Sequence, residues 1–232
     1  MKKVAQTGIV ISMIFLSAAT FGQAQNSEVK KATESKKTAK TYLDLMVNVV
    51  STNLNYAEAN SSLADYKKSN NGIQAGASFQ AGITPGFSLV SELYFMRKGG
   101  KLKTNNPLTT VESSLHLNTI ELPVLARFHF GKFYMNAGPS IAYNLSGNRK
   151  IEEVSTKLSF INSTEGFKRF DAGVQMGGGI EFPFKQKRIG LDIRYSYGLT
   201  NISYDKEMHN RAVMISVHFS KQWKTNPLRS CL

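Results

Sequence analysis

Seven charged side chains, Glu92, Glu121, Arg127, Asp171, Glu181, Asp192 and Arg194, stand in stretches that otherwise alternate apolar with small polar residues. Carboxylates and guanidiniums mixed in this way can form a structural ion network, line a conduit for ions, or act as acids and bases. Arginine favours the first, because its planar fork holds a carboxylate through two parallel hydrogen bonds. A network built on Arg127 and Arg194 is therefore expected, with an ion conduit as the alternative.

Acid and base chemistry is weakly supported. The histidines, His116, His129, His209 and His218, form no HExxH or similar metal spacing. Ser216 and His218 share a face by period two, and His129 lies near Gly131. A nucleophile, however, needs a base within hydrogen-bond reach and a third group to orient that base. Cys231 is the lone cysteine, so neither an internal disulfide nor a thiolate metal site can form. No enzyme activity, no cofactor and no metal are expected.

The run RFDAGVQMGGGIEFPF, with Gly173, Gly177, Gly178 and Gly179, has the look of a phosphate cradle. Such a cradle needs a helix after it to aim backbone N–H groups at the anion. Here Phe170, Ala172, Val174, Met176, Ile180 and Phe182 alternate instead with Asp171, Gly173, Gln175, Gly177, Gly179 and Glu181. Residues two apart share a face of an extended strand, so these glycines belong to a strand, with Gly178 alone on the apolar side.

The same period recurs in Ile189 to Leu199, Phe133 to Leu145, Leu117 to Phe130, Leu43 to Val49, Ile73 to Ile83, Phe87 to Met96 and Arg211 to Phe219. Leu125 interrupts it, and Pro139, which lacks a ladder donor, suits an edge or a bulge. Long polar connections from Asn53 to Asn70, Lys101 to Ser114 and Asn148 to Lys168 alternate with tight ones at Pro85-Gly86 and Gly131-Lys132 and a short one from Pro183 to Arg188. Long and short connections then fall at opposite ends, as in an all-β, eight-stranded antiparallel up-and-down transmembrane barrel with long loops outside the cell. A soluble lipocalin-like binding barrel has the same period with its apolar face inward. Small polar residues on one face, and aromatic pairs such as Phe170 and Phe182, Phe133 and Tyr143, and Tyr195 and Tyr197 on the other, favour the membrane arrangement. The charged residues then face the lumen, which side chains can fill at this strand number.

The chain opens as an export signal: Lys2 and Lys3, an apolar run from Gly8 to Ala19, and Gly22-Gln23-Ala24 as a cleavage site. The expected organisation is a signal peptide at 1–24, a flexible lysine-rich periplasmic segment at 25–41, the barrel at 42–219 and a periplasmic tail at 220–232. The formal charge of +13 suits anionic outer-membrane lipid and lipopolysaccharide. Nucleic acid is not an expected partner, because the chain is exported and carries no nucleic-acid-binding motif. A monomer is expected.

The segments SLVSELYFMRKGGK, LNTIELPVLARF, FYMNAGPSIAYNLSG, RFDAGVQMGGGIEF and LDIRYSYGLTNI, in this order, resemble the PorT-like family of outer-membrane β-barrel proteins of Bacteroidota-type bacteria. The resemblance runs from about Tyr42 to Phe219. It implies an outer-membrane barrel without catalytic activity, with possible partners among secretion or envelope proteins. A narrow channel for small solutes is the alternative role. Two departures stand out: the first strand, LDLMVNVV, lacks glycine, and the chain continues past Phe219 with SKQWKTNPLRSCL, so either Phe219 or Trp223 serves as the terminal aromatic residue.

Overall fold

Alternation of this kind cannot be satisfied by a single strand, because one apolar face and a row of backbone donors and acceptors remain open on each. Closing a sheet on itself removes every edge. In the computed structural model, which describes residues 39–223, the elements in order are β1 (Thr41–Tyr56), a 3-10 helix (Glu58–Tyr66), β2 (Lys67–Lys68), β3 (Asn70–Thr84), β4 (Phe87–Leu102), β5 (Ser113–Phe130), β6 (Phe133–Ile151), β7 (Val154–Lys157), β8 (Phe170–Phe184), β9 (Lys187–Gly198) and β10 (Met208–Trp223). β1 pairs with β3, β3 with β4, and so on through β5, β6, β8, β9 and β10, which returns to β1. The result is a closed eight-stranded antiparallel barrel, with β2 and β7 as short additions at one rim.

The tight turns and both ends of the described chain lie at one rim. Gly131 (φ 69°) and Lys185 (φ 55°) adopt the left-handed backbone there, and Thr41 pairs with Trp223. The four longer connections lie at the other rim.

Exposure decides which way round the barrel is built. Leu45 is 68% exposed, Phe133 63% and Ile193 58%, whereas Arg127 is 1% exposed and Arg194 2%. Large apolar side chains cover the outside and charges fill the inside, the reverse of a lipocalin. At the tight-turn rim Phe87, Phe128, Phe130, Phe133, Phe182, Phe184, Phe219 and Trp223 form an aromatic girdle, in which the rings of Phe87 and Phe128 stand 5.1 Å apart. Phe95, Tyr143, Phe170, Tyr195 and Tyr197 form its counterpart near the other rim. Two such girdles flanking an apolar band are what a membrane imposes.

Several expectations need correction. The strands run past the apolar band, so β1 ends at Tyr56, β4 at Leu102 and β5 begins at Ser113, shortening the expected loops. Beyond the band the polarity inverts: Leu54, Leu102, Leu115 and Leu117 point inward and are buried, while Asn53, Lys101 and Asn118 occupy the outer positions. β10 likewise continues to Trp223, keeping residues 220–223 in register with β1 instead of in a tail. Pro139 lies neither on an edge nor at a register shift; the β5–β6 ladder is interrupted between Pro123↔Ser140 and Ala126↔Ala137 and resumes in the same register. The signal segment 1–24, most of the lysine-rich segment 25–41 and the remainder of the tail lie outside the described residues.

A true bulge falls elsewhere. Asn118 pairs with Ser146 and Thr119 with Asn144, leaving Leu145 as an extra residue in β6. One extra residue exchanges the two faces of a strand. Tyr143 faces outward below it, whereas Arg149 above it pairs with the inward Leu115.

Candidate functional site

Inward positions of eight strands converge on the lumen, where each charge must find a partner because an unpaired buried ion costs several kcal/mol. Near the long-loop end, Lys98 Nζ lies 2.7 Å from Glu121 and 3.5 Å from Asp171. Asp171 also accepts from Thr200 Oγ1 and Asn210 Nδ2, each at 2.8 Å. Gln175 then links two levels: its Nε2 donates to Glu121 (2.8 Å) and to the Tyr94 hydroxyl, and its Oε1 accepts from Arg194 (3.3 Å).

Arg194 is the centre of the lumen. It grips Glu92 through two hydrogen bonds of 2.6 and 3.1 Å and reaches Asp192 at 3.0 Å. Asp192 accepts from the Tyr134 hydroxyl at 3.1 Å and lies 3.4 Å from His218 Nε2, whose Nδ1 is 3.7 Å from Asp44. Asp44 pairs with Arg188 at 3.4 Å, and Arg188 with Glu181 at 2.7 Å. Arg127 joins at this level, 3.5 Å from Glu181 and 3.1 Å from Gln80, with its guanidinium 4.1 Å above the Tyr134 ring. Gln80, Ser88 and His129 end the chain of contacts near the tight turns. Polar side chains thus connect one end of the lumen to the other.

The seven residues expected from the sequence all face this lumen. Glu92, Asp192 and Arg194 meet directly, as do Arg127 and Glu181. Glu121 and Asp171 are held by Lys98 instead of by either arginine. Sequence reasoning missed Asp44, Lys98, Arg188 and His218. Parity with Asn48 and with Glu92 was the signal that could have found Asp44 and Lys98; Arg188 was assigned to a turn, although β9 begins at Lys187. The lumen is also less uniformly polar than expected, since Met46, Val50, Tyr94, Met96, Ala212 and Met214 pack together on one side of it.

The glycines of β8 explain how so large a residue as Arg194 fits. A Cβ at Gly177 would lie 2.2 Å from the Ile193 carbonyl oxygen and 3.1 Å from Arg194 Cβ. One at Gly179 would lie 2.6 Å from Tyr134 Cζ. Their missing side chains are the space the arginine and tyrosine occupy.

Catalytic geometry is poor throughout. Among the described residues Ser216 Oγ has no hydrogen-bond partner, and His218, 2% exposed, is engaged by two carboxylates. Ser88 and His129 do touch, at 3.0 Å, but among the described residues no carboxylate orients His129. No cluster of metal-ligating residues occurs among the described residues.

Outside the barrel, Arg97, Asn118 and Ser146 form a polar rung across β4, β5 and β6, linked by bonds of 3.4 and 2.9 Å, directly above the apolar rung of Phe95, Ile120 and Tyr143. Arg169 lies 4.6 Å over Phe160 and 5.7 Å over Tyr143, and Arg211 lies 3.2 Å over Tyr197. Cations held against aromatic rings thus mark the upper border of the apolar band.

Residues 23–204 match the family described as outer membrane protein beta-barrel domain. No curated protein matches the chain. Among solved structures the chain is similar to Neisserial surface protein A (10% identity, 78% of this chain and 97% of that one, TM-score 0.45). It is also similar to OprG of Pseudomonas aeruginosa (10% identity, 81% and 98%, TM-score 0.44). Similarity extends to Ail of Yersinia pestis, solved in complex with the heparin analogue sucrose octasulfate (9% identity, 78% and 99%, TM-score 0.41).

Proposed function

The chain belongs to the outer membrane protein beta-barrel domain family, and from that premise we propose that it is a non-enzymatic, non-conducting barrel that presents its loops and mouth at the cell surface. Its role is in envelope organisation, protein secretion or surface interaction. The observation that carries this is the chain of side-chain contacts across the lumen, centred on the double hydrogen bond between Arg194 and Glu92. A conduit requires binding weak enough for an ion to leave, whereas these charges are already matched to one another.

Conductance in planar bilayers tests it. The unmodified protein should show no steady unitary openings, and exchanging both Arg194 and Glu92 for alanine should create them. Steady openings in the unmodified protein would establish the narrow channel instead.

Within the family we place the chain near the PorT-like proteins, on the strength of Glu121-Leu122-Pro123, Ala137-Gly138-Pro139 and Asp171 before the glycine run. Export by a cleaved signal at 1–24 accounts for arrival at the outer membrane. Anionic lipid, lipopolysaccharide included, is the proposed surrounding partner, because Arg97, Arg169 and Arg211 border the apolar band where phosphate headgroups lie. The apolar outer surface is occupied by lipid, which makes the barrel a monomer.

A further inference from the structure

Above the ion network the mouth of the barrel holds a cavity of about 250 Å³. Its lining comes from β1, β4, β5, β6 and β10 and from the loops at 103–112, 152–169 and 199–207, so it lies across the opening and not in one wall. Leu54, Leu102, Leu115, Phe167 and Met208 make its walls apolar. Fully buried Leu117 and Ile202 pack beneath them in the same cluster, and below these Lys98 and Glu121 close the lumen.

Water gains nothing from such walls, and leaving them wet forgoes roughly 25 cal/mol per Å² of apolar surface. The strands nevertheless extend past the membrane band to build them. Two cations join the lining, Arg149 and Lys206. Lys206 is paired with Asp205 at 2.6 Å. The Arg149 side chain has neither a hydrogen bond nor an ion pair among the described residues, and it faces the cavity only because the extra residue Leu145 turns the upper part of β6 around. Bulges of this kind commonly re-aim a side chain next to a working site. An arginine fork matches a carboxylate through two hydrogen bonds.

We propose that the mouth is a binding site for a single-chain amphiphile with a carboxylate head, a free fatty acid arriving from outside the cell. The chain lies against Leu54, Leu115 and Met208, and the carboxylate meets Arg149. The volume suits one chain and not the several chains of a lipopolysaccharide. Since the lumen beneath is closed, the ligand is held and not passed through, which makes the site a receptor and not the entrance of a conduit.

The test is titration of laurate into the full-length folded barrel in nanodiscs of neutral phospholipid, with empty nanodiscs subtracted. Dodecanol, of equal chain length without the charge, is the comparison, and lysophosphatidate the membrane-derived one. Laurate should bind at least tenfold more tightly than dodecanol, and more tightly than lysophosphatidate. Arg149→Gln should weaken laurate about tenfold and leave dodecanol unchanged. Leu115→Trp, which fills the cavity, should abolish both, with heat-modifiable migration confirming that each variant is folded. Equal laurate binding by the unmodified protein and Arg149→Gln overturns the proposal, as does dodecanol binding as well as laurate or lysophosphatidate binding better than either. These outcomes are independent of conductance, so they stand or fall apart from the closed-lumen reading.

Discussion

The membrane band and the mouth are built from the same strands with opposite polarity. In the band, Leu45, Ile193 and Phe133 face out and Arg194, Glu92 and Asp171 face in; in the mouth, Lys101 and Asn118 face out and Leu54, Leu115 and Leu117 face in. The solvent outside each level sets the rule. Where lipid surrounds the barrel, polar groups retreat to the lumen and must satisfy one another there. Where water surrounds it, the ordinary hydrophobic effect returns and packs a small apolar core of Leu54, Leu115, Leu117, Phe167, Ile202 and Met208. One strand thus obeys two folding rules in succession.

The largest effect should come from the band's interior. Arg194→Met leaves Glu92 and Asp192 buried without their cation and should cost about 3–5 kcal/mol, read as a lower urea midpoint for folding into lipid vesicles. The double variant Arg194→Met with Glu92→Gln should recover part of that loss. Next comes the core of the mouth, where Leu117→Ala should cost roughly 3 kcal/mol, with the loss appearing as faster protease cleavage in the loop at 199–207.

A pair of arginine substitutions sharpens the contrast most directly. Ile215→Arg puts a charge against lipid and should cost about 2–3 kcal/mol, whereas Asn55→Arg, on the outer face above the band, should lie within about 0.5 kcal/mol of zero. Equal costs at the two positions would mean the polarity border has been drawn in the wrong place. The smallest effect is expected at Glu112, whose exposed contacts with Lys68 and Lys101 span 3.1 and 4.0 Å; Glu112→Gln should change stability by about 1 kcal/mol or less, and high salt should erase the difference.

The two regions were also unequally legible. Within the band, period two assigned Glu92, Glu121, Arg127, Asp171, Glu181, Asp192 and Arg194 to one face, because lipid tolerates so few exceptions on the other. Strand number and the alternation of long and short connections followed from the same pattern. The mouth was hidden for the opposite reason: an apolar-inward pattern above an apolar-outward one blurs the alternation, so Leu54 and Leu115 fell within or beside expected loops. Which acid meets which base was beyond parity as well. Lys98 is two positions beyond Met96 on the lumen face, yet its pairing with Glu121 and Asp171 depends on how β4, β5 and β8 curve toward one another. Arg188 was lost to a turn that proved two residues long.

Leu145 has a bearing on how such a protein can vary. A residue inserted into a barrel strand ordinarily throws every later side chain onto the wrong surface, and the membrane does not forgive it. Here the ladder already absorbs one, and it does so at the height where lipid gives way to water. A change of length in β6 above that height leaves the pairing of Tyr143, Asn144 and the residues below untouched. The bulge is a joint between the stem of β6 and its upper end.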